Sequence, residues 1–185
     1  MNDRIFWSRA ANYGLLLGLA VFAVSLLSWA FKLENSAWIS EAMLFAVLLG
    51  GIWITAGLNV EASGEQGYSY GRSVGFVFAL MLFTAVVAGV GDFLLRAYIA
   101  PEYYLEQLQR AFDMVAASGG GLPSTMQTLD TARKMSEELM TNPMFLIFSE
   151  MINLGIKGGF LGIVMSAFLK KDSAVPQNRQ DDELR

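Results

Sequence analysis

The chain has 185 residues, of which 54% are hydrophobic and only 16% are charged, with a formal net charge of -4. It contains no cysteine and no histidine, which excludes disulfides, thiol nucleophiles, thiolate or imidazole metal ligands and the usual general base near neutral pH. The acidic balance argues against nucleic-acid binding, because surfaces that bind polyanions are rich in Lys and Arg. We therefore expect no nucleic-acid partner, no metal and no cofactor.

Four long apolar segments contain most of the hydrophobic residues, at about 10–31, 39–60, 73–95 and 144–169. A bilayer core is about 30 Å thick and an α-helix rises about 1.5 Å per residue, so each segment is long enough to cross it. Helices are expected because a backbone in lipid must satisfy its own hydrogen bonds. The predicted fold is all-α, a four-helix transmembrane bundle that forms a single membrane domain over residues 1–171.

The segment between the third and fourth spans, residues 97–143, predicts a helical hairpin outside the membrane. Leu105, Leu108, Phe112 and Val115 have the spacing of one face of an amphipathic helix. A second, weaker helical pattern follows and runs to Pro143. The polar tail at residues 172–185 has no apolar periodicity, so we expect it to be disordered.

The distribution of Lys and Arg near the span ends predicts the orientation. Cytoplasmic ends of membrane proteins carry an excess of these residues. One side of the predicted bundle holds Arg4, Arg9, Arg72, Lys170, Lys171 and Arg179, and the other holds Lys32, Arg96, Arg110, Arg133 and Lys134. Both termini are therefore expected to be cytoplasmic.

Four segments resemble, in chain order, domain of unknown function family 4199. They are Tyr13–Gly18, Gly71–Phe76, Arg96–Tyr103 and Ser166–Lys171. The resemblance implies a small bacterial protein of the cytoplasmic (inner) membrane, with four spans, a helical insert before the last one and no established activity. It also implies an association with envelope glycolipid processes, including glycosyltransferases. It supplies no functional residues.

The fourth span carries the most unusual polar residues of the chain. Glu150, Asn153 and Lys157 follow one another at intervals of three and four, which places them on one helix face. A charged residue inside a membrane is costly and usually meets a partner or a water-filled cavity. Lys157 could extend toward the outer end and pair with Glu150 or Asp92 for structural reasons. Alternatively, this face could form a pocket for an anionic headgroup, or a path for protons or ions.

Asp92 and Arg96 on the third span are four residues apart, which suits an ion pair within one helix. Such a pair could anchor the helix at the interface, or either residue could face the same pocket as Lys157. Polar side chains of the first two spans, Asn12 and Thr55, are candidates for hydrogen bonds between helices.

Small residues recur at the spacing that lets membrane helices approach closely. The predicted helix-packing glycines are Gly14, Gly18, Gly71, Gly75, Gly155, Gly158, Gly159 and Gly162. Four of them lie in the fourth span, so we expect that span to be the packed centre of the bundle. One such face could instead bind another protein.

Three functions are compatible with these features. The first is a scaffold or accessory subunit of a bacterial envelope process, with a membrane protein or a second copy of the chain as its partner. The second is a small transporter or lipid-binding protein that uses the polar face around Lys157. An enzyme is not expected, since isolated carboxylates on different helices do not make a mechanism.

Overall fold

The computed structural model describes residues 3–33, 37–61, 69–118 and 123–169, and these ranges contain six α-helices, one π-helical turn and no β-strand. The elements are α1 (Asp3–Ala30), α2 (Ala37–Glu61), α3 (Tyr70–Leu94), the π-helical turn (Leu95–Ile99), α4 (Pro101–Ser118), α5 (Pro123–Met140) and α6 (Pro143–Leu169). The predicted all-α fold is confirmed. The predicted tail at residues 172–185 lies outside the described residues.

Four helices are long and apolar enough to cross a membrane, namely α1, α2, α3 with its π-helical turn, and α6. Large apolar side chains point away from the bundle on each of them, including Leu16, Ile54, Phe78 and Phe160, all more than half exposed. Side chains of this kind belong in lipid, where outward-facing apolar groups meet no water. The protein is therefore an integral, multi-pass membrane protein.

Local signals set several helix boundaries. α4, α5 and α6 each begin with a proline, which is tolerated there because the first helical N–H groups have no intrahelical acceptor. The Asn142 side chain caps α6 by accepting hydrogen bonds from the backbone N–H groups of Met144 and Phe145 at 3.0 and 3.2 Å. Ser69 caps α3 in the same way, accepting from the Arg72 N–H at 3.4 Å.

The packed centre of the bundle is α3, so the expectation that the fourth span fills this place is wrong. In the most apolar window of α3, 56% of the residues are buried, against 39% in α6. α3 contacts α1, α2 and α6, and its Phe76, Leu80 and Met81 are fully buried. Two of the four α6 glycines follow from this arrangement, because Gly158 and Gly162 lie against the α3 side chains Met81 and Val77.

Two hydrogen bonds join neighbouring spans at places the sequence did not indicate. Arg9 on α1 donates to the side-chain oxygen of Asn59 on α2 at 3.3 Å. The Thr84 hydroxyl on α3 lies 2.8 Å from the Leu80 carbonyl oxygen of its own helix and 3.3 Å from the Gly14 carbonyl oxygen on α1, so its single proton is shared between the two. Asn12 is exposed, and Thr55 donates to the Gly51 carbonyl of its own helix at 2.7 Å. Whether a polar side chain joins two helices thus depends on whether it faces a neighbouring helix. The amino-acid composition of a span does not show which side chains do so.

The insert forms the two helices expected of it. α4 and α5 pack against each other, with Phe112 and Leu129 on either side of a shared groove. Neither helix is apolar enough to be a candidate span. The pair follows directly from the end of α3 and leads into the start of α6, so it covers one end of the bundle.

Candidate functional site

A cavity of about 250 Å³ lies at the hairpin end of the bundle. All four spans contribute to it where α1 and α3 approach their ends and α2 and α6 begin, and α4 contributes one side chain. The cavity brings together four of the five predicted pocket residues, namely Asp92, Arg96, Glu150 and Asn153. Its lining consists of Val21, Val24, Ser25, Ser28, Ser40, Glu41, Leu44, Ala88, Asp92, Arg96, Tyr104, Glu150 and Asn153.

Asp92 and Arg96 form an ion pair in this cavity, as their spacing indicates. A guanidinium nitrogen of Arg96 lies 3.3 Å from a carboxylate oxygen of Asp92, and both side chains are less than one-third exposed. Arg96 stands on the π-helical turn, where the Ala100 N–H donates to the Leu95 carbonyl at 2.8 Å. Local π-helical geometry is often found at functional sites, because it redirects side chains from the regular helical positions.

Tyr104, on the first helix of the extramembrane hairpin, also lines the cavity. It lies on α4, and the guanidinium carbon of Arg96 is 5.1 Å from the centre of its ring. This distance is that of a cation–π contact, which is worth about 0.5–2 kcal/mol depending on solvent exposure. The hairpin is therefore tied to the intramembrane ion pair, a link that no sequence pattern suggested.

Glu150 faces the cavity from α6 and is its least compensated charge. Its carboxylate has a hydrogen bond from the neighbouring Asn153 side chain, is repelled by Asp92 and is attracted from a distance by Arg96 and Lys157. Among the described residues, no Lys or Arg nitrogen lies within 4.0 Å of it. A polar cavity is thus left with a carboxylate that has no ion-pair partner in the described part of the chain.

Lys157 does not line the cavity, and its partner is neither Glu150 nor Asp92. Its ammonium nitrogen donates to a carboxylate oxygen of Glu41 on α2 at 3.0 Å. The long Lys side chain reaches along the bundle to an acid near the beginning of the neighbouring span. The sequence did not indicate Glu41 as the partner. Glu41 lies just before the uncharged part of the second segment, at a position where a charged residue is expected at the membrane interface.

Three serine side chains line the same cavity. Ser25 lies within hydrogen-bonding reach of the Asp92 carboxylate. Ser28 is 7% exposed, and its hydroxyl has no hydrogen-bond partner. Ser25 and Ser28, with Val21 and Val24, have the spacing of a single α1 face, a signal that could have identified them from the sequence.

The charge of the lining favours a cation. Three carboxylates, from Glu41, Asp92 and Glu150, meet a single guanidinium from Arg96. Counting Lys157 beside Glu41 still leaves one negative charge in this part of the structure. Opposite charges attract strongly where water is scarce, so the formal charge of the described lining is complementary to a positively charged group.

The predicted packing glycines fall into two groups. A methyl group in place of the Cα hydrogen of Gly14, Gly18, Gly158 or Gly162 would meet side-chain or backbone atoms of α3, whereas Gly71, Gly75, Gly155 and Gly159 have open space. Gly51, Gly89 and Gly91 are closely packed too, against Leu17, Ile147 and Phe22. None of these three glycines belongs to the glycine spacing on which the prediction was based, so the sequence did not identify them.

No curated protein and no solved structure matches the chain significantly. A family model described as "Protein of unknown function (DUF4199)" matches residues 12–171. The match includes every residue that lines the cavity and confirms the resemblance found in the sequence. The chain, an integral membrane protein with four apolar helices, belongs to the DUF4199 family.

Proposed function

We propose that the protein binds a positively charged group in its intramembrane cavity, as a small lipid-binding or solute-binding membrane protein rather than an enzyme. The observation that carries this proposal is the Glu150 carboxylate, which faces a polar cavity and has no cation within ion-pair distance among the described residues. An isolated carboxylate inside a membrane is costly. A bound cation offsets that cost and gives the site its affinity.

The experiment measures thermal unfolding of the purified protein in a non-ionic detergent. Potassium, magnesium, ethylammonium and tetramethylammonium chlorides are added at equal ionic strength, and phosphatidylethanolamine and phosphatidylcholine are added as mixed micelles. At a concentration 100 times the dissociation constant, a ligand stabilises the native state by about 2.7 kcal/mol. We expect at least one of these probes to raise the melting temperature of the wild type and not that of Glu150→Gln.

The matched control is Glu138→Gln, which removes an exposed acid on α5 outside the cavity. It should respond to every probe as the wild type does. Equal responses of the wild type and Glu150→Gln to all six probes would overturn the proposal.

A second candidate function is that of an accessory subunit in a bacterial envelope process, as the family resemblance implies. The observation that favours it is the unfilled space beside Gly155 and Gly159 on α6 and beside Gly50 and Gly57 on α2. Open glycine faces let a second membrane helix approach closely. The partner would be another membrane protein or a second copy of this chain.

Quantitative copurification from cells in mild detergent tests this second candidate. A stoichiometric partner, or a dimer, should be lost in the double variant Gly155→Leu/Gly159→Leu and retained in Ile156→Leu. Ile156 is 70% exposed on the same helix, so its conservative exchange controls for a change at the lipid-facing surface. An isolated monomer in both the wild type and the control would exclude this function.

We also propose that the protein lies in the bacterial cytoplasmic membrane with both termini in the cytoplasm. Contacts between Arg9 and Asn59, and between the Tyr70 hydroxyl and the Ile163 carbonyl at 3.3 Å, link the start of α1 to the end of α2 and the start of α3 to the end of α6. These four helix ends therefore share one side of the bundle. Arg4, Arg9 and Arg72 lie at that side, which supports a cytoplasmic location.

A further inference from the structure

Resting on the proposed cation-binding function, we propose that the cavity selects a primary ammonium group, of the kind carried by an aminophospholipid headgroup or by a small soluble amine. The selection is made by hydrogen-bond acceptors in the lining and not by charge alone. An ammonium with N–H groups would therefore bind in preference to a quaternary ammonium or a simple metal cation of the same charge.

The first argument is the chemistry of the lining. Oxygen acceptors come from different spans, among them Ser28 on α1, Glu41 on α2 and Glu150 on α6. A primary ammonium presents three N–H donors and no acceptor. Acceptors that surround a cavity from several helices can therefore each accept a hydrogen bond from one of its N–H groups, which a quaternary ammonium does not have.

The second argument is that, among the described residues that line the cavity, Tyr104 alone has an aromatic ring. Quaternary ammonium groups are recognised by cages of several aromatic side chains. The Tyr104 ring already has the Arg96 guanidinium 5.1 Å from its centre. The described lining therefore has no aromatic cage in which a ligand cation could bind in addition to Arg96.

The third argument is an internal example of the proposed contact. Lys157 carries a primary ammonium, and its nitrogen donates to Glu41, one of the cavity carboxylates, at 3.0 Å. The chain itself shows that an acid of this lining accepts an ammonium N–H at a good hydrogen-bond distance. Glu150 is the carboxylate of the same cavity that would accept a hydrogen bond from the ammonium group of a ligand.

The fourth argument is independent of charge. Ser28 lines the cavity and is 7% exposed, yet its hydroxyl has no hydrogen-bond partner in the structure. A buried polar group without a hydrogen-bond partner destabilises the folded state. An N–H donor in the cavity could satisfy this oxygen.

The shape of the site is compatible with a headgroup that enters from the bilayer. The polar residues share the lining with Val21, Val24 and Leu44. The volume of about 250 Å³ is several times the roughly 30 Å³ that one water molecule occupies in the liquid. The cavity can therefore hold an ammonium group together with the short carbon chain that carries it.

Two measurements distinguish the selection of a primary ammonium from the source of that group, which is either a lipid headgroup or a soluble amine. Native mass spectrometry of the protein with equimolar phosphatidylethanolamine and phosphatidylcholine of identical acyl chains reports the lipid preference. Thermal unfolding with ethylammonium, tetramethylammonium and potassium chlorides at equal ionic strength reports the preference among soluble cations. Both are applied to the wild type, to Glu150→Gln, to Ser28→Ala and to the control Glu138→Gln.

We expect retention of phosphatidylethanolamine over phosphatidylcholine by about fivefold or more, which is about 1 kcal/mol of discrimination. This preference should be lost in Glu150→Gln, reduced in Ser28→Ala and kept in Glu138→Gln. A Glu150-dependent response to ethylammonium alone, without a lipid preference, would also support the proposal and identify the source as a soluble amine.

The outcomes that overturn the proposal differ from those that overturn cation binding. If tetramethylammonium, potassium or phosphatidylcholine acts as strongly as its primary-ammonium counterpart and depends on Glu150, cation binding stands and ammonium selection is wrong. If no probe distinguishes the wild type from Glu150→Gln, both are wrong. Selection that persists unchanged in Ser28→Ala and Glu150→Gln would place ammonium binding outside this cavity.

Discussion

The ammonium nitrogen of Lys157 on α6 lies 3.0 Å from a carboxylate oxygen of Glu41 on α2, although 116 positions separate the two residues. Lys157 is the fifteenth residue of α6, so its Cα lies roughly 20 Å along the helix from Pro143. Glu41 is only four residues beyond the start of α2. The Lys side chain therefore extends toward the hairpin end, and the pair joins α6 to α2.

The Lys157–Glu41 pair predicts unequal effects of its two single substitutions. Glu41→Gln leaves the Lys157 ammonium, 25% exposed within a span, without a partner, and should destabilise the protein by about 1–3 kcal/mol. Lys157→Met leaves Glu41, whose side chain is 64% exposed, and should change stability by less than about 1 kcal/mol.

Thermal unfolding of both variants and of the double variant in detergent checks this prediction. The double variant should resemble Lys157→Met, since it contains no unpaired ammonium. A Glu41→Gln protein as stable as the wild type would contradict the structural importance of the pair.

Arg96 is predicted to be more important for stability than its partner Asp92. Arg96→Met leaves Asp92 and Glu150 in one cavity without the cation that the described lining supplies, and should cost about 2 kcal/mol or more. Asp92→Asn keeps Arg96 beside Glu150 and should cost less. Adding Asp92→Asn to Arg96→Met should restore part of the lost stability, as measured by unfolding in detergent. Additive effects of the two substitutions would show that Asp92 and Arg96 do not interact as described.

Packing of α1 on α3 predicts a difference between two glycine-to-alanine substitutions. The new Cβ of Gly14→Ala would lie 2.5 Å from the Phe83 Cβ and 3.0 Å from the Leu80 carbonyl oxygen, so we expect a loss of about 1–3 kcal/mol. Gly75→Ala meets no atom within 4 Å and should be neutral or stabilising by up to about 1 kcal/mol. Equal melting temperatures for the two variants would show that α1 and α3 are not packed as described.

The negative charge of the cavity predicts a labelling preference that is simple to measure, since the chain has no cysteine of its own. Ser40→Cys places a thiol in the cavity lining. It should react at least several times faster with a positively charged methanethiosulfonate reagent than with a negatively charged one of similar size. The ratio should fall in Ser40→Cys/Glu150→Gln, and Ser8→Cys, exposed near the start of α1, supplies the reference ratio.

The proposed orientation predicts which single-cysteine variants react in intact cells. Met114 is 68% exposed on α4, so Met114→Cys should be labelled by a membrane-impermeant maleimide added outside inner-membrane spheroplasts. Ser8→Cys, near the start of α1, should react only after the membrane is opened. The reverse pattern would place both termini outside the cytoplasm.

Local sequence was sufficient for the spans and for part of the site. Apolar length predicted four helices because lipid imposes a minimum span, and that rule does not depend on the neighbours of a helix. The four-residue separation of Asp92 and Arg96 predicted their ion pair because both belong to one helix. Helix spacing also placed Glu150 and Asn153 on one face, and both line the cavity.

Contacts between helices required the tertiary structure. A helix that is apolar on all sides carries no pattern to show which face meets a neighbour, so neither the central place of α3 nor the open faces of Gly155 and Gly159 could be read from spacing. For the same reason, the sequence suggested partners for Lys157 on α6 and α3, whereas its partner in the structure lies on α2. The sequence by itself determined that the chain crosses a membrane, whereas the rotation and order of the helices decided which charges share a cavity and which carboxylate, that of Glu150, forms no ion pair with a described residue.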